Sequence, residues 1–396
     1  MVLFTSSCKY DPTISNPEEY ATIYMAQGES LREFIFQQSK GSDRILIGAN
    51  YGGVDEAPED IRVKFEIDPS LVAQYNEANQ TEFEQLPMNN ISFPTQEAVI
   101  QKGKLQTQAL PLDIDFTGLP TFTSYLLPVK ISSSSGNVSI NEQLQTAYFR
   151  IEVRSDPTPI KIMMLGKGGT NNDMDKLSQI IADANPDICI IREIDKFTNR
   201  SGSDNDWSEI LFNKISLDHM LFVPSILSYQ GGQYGMVVYS KYPMVNSETY
   251  LLAANNMNEA PGAERGPLAV LDLNVDGKIL KFGAIHTASN ATTRAVQLSE
   301  ISTILGQESE HPFIFAGNFN ANPNGGDSYL ALSGLNFVPA CTSCPPNFPV
   351  SNPATWSDMT VFRPSGRFNV VSHTVGNATQ AMGTHLPVFT TVNVYF

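Results

Sequence analysis

The chain has 396 residues, 41 acidic against 25 basic, for a net charge of −16 and a pI near 4.7; such a surface repels a phosphate backbone and disfavours non-specific nucleic-acid binding. Its 41% hydrophobic and 17% charged residues describe an ordinary globular protein long enough for two domains. No run approaches the roughly 18 apolar residues that a membrane-crossing helix needs.

The first residues read "MVLFTSSCKYD". Leu3 to Cys8 resemble the end of a bacterial lipoprotein signal, in which small residues precede a Cys that becomes lipidated. The basic start and full apolar stretch of such a signal are missing, which points to a longer precursor with Met1 internal to it. On this reading residues 1–17 are a signal remnant and polar tether, and acyl chains on Cys8 anchor the protein to a membrane surface. The plainer alternative is a free Cys on a disordered tail.

Residues 18–153 hold alternating runs that predict strands: "YATIYMA", "RILIGANYGG", "IRVKFEI", "SYLLPVKI" and "TAYFRIEV". Turn signals separate them at Gly52-Gly53, Asp68-Pro69, Leu86-Pro87 and the Ser-rich 131–137. One helix is expected at 70–79, with Leu71, Val72 and Tyr75 on one face. Short strands at regular spacing indicate an all-β sandwich. "RSDPTP" at 154–159 reads as a linker, because each Pro disfavours helix in the residue before it.

From 160 to 396 the pattern changes to strands alternating with helices, which predicts an α/β domain with buried mixed sheets. "IKIMML" is a strand, "DMDKLSQIIADAN" an amphipathic helix with Leu177, Ile180 and Ile181 inward, and "DICIIREI" a strand. Then come "YGMVVYSKYP", "LAVLDLNV", "ILKFGAIHT", the helix "TTRAVQLSEISTIL", the strand "PFIFAGNFN" and a last strand near "HLPVFTTVNV". Cys189 lies in a core strand. Cys341 and Cys344 have zinc-like spacing but no second Cys pair, so a metal site is not expected there. A short-loop disulfide is expected if the chain is exported, and two free thiols otherwise.

The order of these motifs carries a family resemblance. "PDICIIREID", "YGMVVYSKYPM", "GAIHTAS", "GNFNANP", "SDMTVF" and "GTHLPV" are similar, in that order, to the landmarks of the endonuclease/exonuclease/phosphatase superfamily. The resemblance implies a four-layer α/β sandwich of two stacked mixed sheets flanked by helices, and metal-dependent phosphoester hydrolysis. The N-terminal segments "YATIYMAQ", "IRVKFEIDPSLVAQYNEAN" and "SYLLPVKI" resemble the immunoglobulin-like module that opens many gut-bacterial surface lipoproteins, which supports placement at the bacterial outer membrane or cell surface.

By this resemblance Glu193 keeps the metal-ligand position, His286 the first catalytic His, Asn320 the second Asn of its motif, and Asp358 with His385 an Asp–His pair. Other positions depart from the pattern. Gly166 stands for an Asn, Arg192 for a Gln, Met236 for a polar residue, Asn318 for an Asp and Thr384 for an Asp. Gln233 is a further candidate for a family Glu.

Asn318 cannot take up a proton as a general base, and losing positioned acid–base catalysis typically costs ~10²–10⁴ in rate. Asn318 and Thr384 together remove two charges that would attract a hard cation. Arg192 adds a fixed positive charge and is expected to pair with Glu193 or fill the cation's place. Mg²⁺ or Mn²⁺ is therefore expected to bind weakly or not at all, with Glu193 vestigial. His219, His311 and His373 match no motif and read as surface or loop residues. The function expected is a surface lipoprotein whose impaired phosphoesterase fold binds or scaffolds. The alternatives are a divergent metal-dependent phosphoesterase, or a glycan-binding protein using Trp207 and Trp356 as a platform. The partner expected is an unspecified small ligand or glycan.

Overall fold

The computed structural model describes residues 17–28, 30–136, 138–254, 260–306, 309–322 and 325–396. Cys8 lies outside them. The chain divides into two units between Asp156 and Pro157.

The N-terminal unit is built from β-strands and one α-helix among its described residues. Its central strand Ser124–Ser134 lies between Thr146–Arg154 and Ile61–Ile67 in a six-stranded sheet, and two three-stranded sheets complete the unit. All three sheets contribute to one apolar cluster that includes Ile23, Ile47, Phe65, Leu112, Val129 and Phe149. The run "RILIGANYGG" is two strands rather than one. Ser42–Ile47 pairs with Leu110–Asp115, whereas Ala49–Gly52 pairs with Thr22–Met25 in another sheet. The break falls at Gly48, where a Cβ would stand 3.2 Å from Thr107 Oγ1. The helix forms at Leu71–Asn79, but only Val72 is buried; Tyr75 instead packs on Tyr148 at 4.6 Å between ring centroids.

The segment read as a linker is half strand. Thr146–Arg154 ends at its first residue and Thr158–Gly166 begins near its end, leaving 155–157 between them.

The C-terminal unit contains two six-stranded mixed sheets. The first runs in the order His219–Tyr229, Gly232–Ser240, Ile188–Lys196, Thr158–Gly166, Val388–Val394, Phe368–Val375. The second runs Met244–Ala254, Arg265–Val275, Lys278–His286, Phe313–Asn318, Asp358–Arg363, Val338–Pro339. Each has one parallel pair joined through a helix: Thr158–Gly166 to Ile188–Lys196 through Met174–Ala184, and Lys278–His286 to Phe313–Asn318 through Ala291–Leu305. One apolar cluster draws on both sheets, with Ile162, Ile190 and Met236 from the first and Leu271, Phe282 and Ile314 from the second. A second cluster joins the first sheet to Leu177, Ile180 and Ile181 of its crossover helix, and a third joins the second sheet to Leu298 and Ile301. Strands buried on both faces explain the unbroken apolar runs in the sequence.

Candidate active site

The parallel pairs determine where the polar residues fall, because ligands in such sheets bind beyond the carboxyl ends of the strands. Gly166 pairs in register with Arg192, and Arg192 with Met236, in the first sheet. His286 pairs with Asn318, and Asn318 with Asp358, in the second. Gly317 is required immediately before Asn318: its φ is +146°, and a Cβ there would stand 2.1 Å from the Ile285 carbonyl oxygen.

Glu193 occupies a β-bulge. Arg192 faces Met236 and Ile194 faces Gly235, leaving Glu193 as the extra residue. Its φ is +62°, a strained conformation for a side chain longer than Asn. Bulges beside functional sites re-aim a side chain, and this one turns Glu193 into a cavity.

Arg192 was expected to contact Glu193 or take a cation's place beside it. It spans the two sheets and pairs with Asp358, not with Glu193, Nη2 to Oδ1 at 2.8 Å and to Oδ2 at 3.1 Å. Burial alone would raise the Asp358 carboxyl, but the Arg192 charge, then His385 and the Asn347 amide, bring it to about 2. The expected Asp358–His385 pair is loosened accordingly. His385 Nδ1 lies 3.6 Å from Asp358 Oδ2 and 2.8 Å from Ser357 Oγ, and Phe348 packs on its ring. His286 is lowered to about 3, first by burial and next by the Arg192 charge, so it is neutral at physiological pH.

Asn318 is 1% exposed. Its Oδ1 accepts from the Asn320 backbone N–H at 3.2 Å, while Asn320 Nδ2 donates to the Thr287 carbonyl at 2.7 Å. Among the described residues Asn318 Nδ2 and Arg192 Nε and Nη1 are buried without a hydrogen-bond partner. A site for Mg²⁺ or Mn²⁺ needs converging oxygen acceptors, and here the one acceptor without a hydrogen bond, Asp358 Oδ1, lies 2.8 Å from the Arg192 guanidinium, among three donors without partners. The residues at this depth do not fit the divalent ion that the family implies, and Glu193 is left at the rim.

The cavity above has a volume of about 210 Å³ and is lined by Glu193, Tyr234, Glu264, Arg265, His286 and Asn320, with the 287–289 turn and Gln297. Sequence reasoning missed Glu264, Arg265, Tyr234 and Gln297. Glu264 stands at the mouth, its carboxyl raised by its recessed setting and then by the Glu193 charge. Arg265 is held by the carbonyls of Leu252 and Leu251, each at 3.0 Å. Gln297 accepts from the Ala288 N–H at 2.8 Å and donates to the Ala253 carbonyl at 2.7 Å, and Arg294 binds the carbonyls of Ala288 and Ser289. The "RAVQ" helix thus builds the cavity floor.

Several expected site positions lie elsewhere. Met236 is fully buried in the cluster between the sheets. Thr384 has an exposed side chain, and its carbonyl accepts from Val350. Trp207 Nε1 donates to the Ser201 carbonyl and Trp356 Nε1 to that of Cys344, and neither residue lines the cavity. His311 is exposed, and His219 opens the strand His219–Tyr229. His373 is not a loop residue. It lies within Phe368–Val375, partly buried, with its ligand atom within 4.8 Å of those of Cys341 and Cys344. Both thiols are free, without the disulfide expected for an exported chain.

A fold of two mixed sheets with polar residues at the strand ends agrees with comparison to known proteins. The family model described as Endonuclease/Exonuclease/phosphatase family matches residues 164–380, more than half of the chain. The chain belongs to that family. A second model, for an N-terminal domain, matches residues 16–138. Among solved structures, an endonuclease/exonuclease/phosphatase from Beutenbergia cavernae is 16% identical with a TM-score of 0.50, covering 60% of this chain and 72% of its own. The corresponding proteins of Bacteroides vulgatus and Bacteroides thetaiotaomicron are 17% and 14% identical, with TM-scores of 0.47 and 0.48. Each covers 60% of this chain, and the matches span 99% and 96% of their own chains. No curated protein matches.

Proposed function

We propose that the C-terminal unit is a four-layer phosphoesterase fold that has lost hydrolysis and binds a small polar ligand in the cavity beside Glu193. The observation that carries this reading is the Arg192–Asp358 ion pair beneath Asn318. On the family resemblance, Arg192 brings a guanidinium and Asn318 an amide to a neighbourhood that calls for a cation and a carboxylate base. The His286 ring, neutral beside that guanidinium, donates or accepts one hydrogen bond but brings no charge to a developing oxyanion. The cavity above offers carboxylates from Glu193 and Glu264 and donors from Arg265 and Asn320, a mixture suited to a hydroxyl-rich molecule such as a sugar or sugar phosphate.

A second reading, a divergent phosphoesterase with shifted activity, is favoured by Glu193. Its strained bulge persists and its carboxylate still faces the cavity. We read the N-terminal unit as immunoglobulin-like, and the whole as a lipoprotein tethered through Cys8 to the outer face of a bacterial membrane. The sequence "LFTSSC" supports that placement.

A thermal-shift panel of monosaccharides and their phosphates tests the binding role. The expected result is a stabilising compound whose effect is lost in Arg265→Ala, since a bound ligand stabilises by mass action. Stabilisation unchanged in Arg265→Ala would move the ligand away from this cavity.

A further inference from the structure

We propose that Cys341, Cys344 and His373 hold a Zn²⁺ ion that clips together the edges of the two sheets of the C-terminal unit. Cys341 lies two residues beyond Val338–Pro339, the last strand in the order of the second sheet. His373 lies on Phe368–Val375, the last strand of the first. Their ligand atoms and that of Cys344 lie within 4.8 Å of one another. Ligands of a tetrahedral zinc stand about 3.8 Å apart when the Zn–S bond is about 2.3 Å, so small side-chain rotations close the remaining gap. Two thiolates and an imidazole select a soft or borderline ion over Mg²⁺ or Ca²⁺. Three protein ligands leave a fourth position for water.

The second observation is the setting of the His373 ring. Its Nδ1 lies 2.9 Å from Thr390 Oγ1, which lies 3.1 Å from Thr360 Oγ1 across the other sheet. A metal-binding His almost always engages its other nitrogen in such a bond, which fixes ring orientation and tautomer. With Nδ1 so engaged, the proposal assigns Nε2 to the metal.

The clip has a consequence for the candidate active site. The segment after Cys344 contributes Asn347 to Asp358, Phe348 to the His385 ring and Ser357 Oγ to His385 Nδ1. Trp356 Nε1 also bonds the Cys344 carbonyl at 2.6 Å. Zinc at one end of this segment therefore orders the residues around Asp358. On binding, each thiol gives up its proton to solvent and donates a sulfur lone pair, with no redox change.

The test uses the full chain, purified under reducing and anaerobic conditions and analysed for metal by elemental mass spectrometry. One equivalent of Zn²⁺ per chain is expected, and replacement by Co²⁺ should give thiolate-to-cobalt charge transfer with the intense visible bands of a tetrahedral site. His373→Gln should weaken Zn²⁺ at least tenfold, and Thr390→Val about 10- to 100-fold, with circular dichroism unchanged. The wild-type Co²⁺ spectrum decides the matter if a variant fails to fold. A Cys341–Cys344 disulfide in protein isolated from its own host would overturn the proposal. So would absence of the cobalt spectrum with both thiols reduced, or zinc retained undiminished by Cys341→Ser/Cys344→Ser.

Discussion

Arg192 and Asp358 belong to different sheets, yet Arg192 Nη2 lies 2.8 Å from Asp358 Oδ1 with both side chains 1% exposed. A buried pair is weak evidence of net stability, but removing one partner leaves an uncompensated charge, at roughly 3–5 kcal/mol. Arg192→Ala should therefore lower the stability of the C-terminal unit by about that amount. Arg192→Gln with Asp358→Asn should cost less than the sum of the single changes. Both Trp residues of the chain, Trp207 and Trp356, lie in this unit, so tryptophan fluorescence during urea unfolding reports it alone. Equal stability in wild type and Arg192→Ala would mean that the pair does not form.

The same charge shapes the pH response. An unfolded His takes up a proton near pH 6.5, whereas folded His286 refuses it until about 3. Between those values the unfolded chain binds more protons, so stability falls as the pH falls, by at most about 1.4 kcal/mol per unit. Asp358, held at about 2, adds a loss of the same sign, complete only as the pH drops through that value. Unfolding midpoints measured from pH 7 to 4 should fall less steeply in His286→Gln than in wild type. Parallel curves would contradict the burial of a neutral imidazole.

Gly166 makes room for its neighbours. A Cβ there would lie 3.5 Å from Glu193 Oε1 and 3.6 Å from Arg192 Nη2, so a methyl group fits and an amide does not. Gly166→Asn should destabilise by about 1–3 kcal/mol through overpacking, and Arg192→Gln should relieve most of it. A double-mutant cycle showing no coupling would remove Arg192 from the neighbourhood of Gly166.

The anchor is tested in cells. The full gene expressed in a native-like host should give protein labelled by radioactive palmitate, and Cys8→Ala should abolish the label. Label persisting in the variant would dismiss the lipoprotein reading.

The order of strands and helices in the C-terminal unit was legible because both sheets are buried on two faces, which leaves apolar runs with polar residues at their ends. Glu193, His286, Asn318 and Asp358 were singled out by the family resemblance, and they fall at or next to the ends of strands in those sheets. The direction of the Arg192 guanidinium was not, because its partner lies 166 positions away on the other sheet. His373 was hidden likewise: a lone His in a polar stretch acquires meaning only when an edge strand sets it beside Cys341 and Cys344. Glu264 and Arg265 lie at the start of a strand whose apolar run begins later, so periodicity gave no reason to single them out. In the N-terminal unit the alternating runs marked the strands but not their sheets, since Gly48 redirects the chain within one apparent run.

Hydrolysis is the most direct test of the central claim. Wild-type protein should be assayed on a generic phosphodiester with millimolar Mg²⁺ or Mn²⁺, beside His286→Ala and beside the combined variant Gly166→Asn, Arg192→Gln and Asn318→Asp. Asn318→Asp alone should do little, because groups that act as a unit are far from additive. Wild type is predicted to turn over no faster than His286→Ala, and the combined variant to gain detectable activity. Metal-dependent turnover by wild type that disappears in His286→Ala would show that the protein remains a hydrolase.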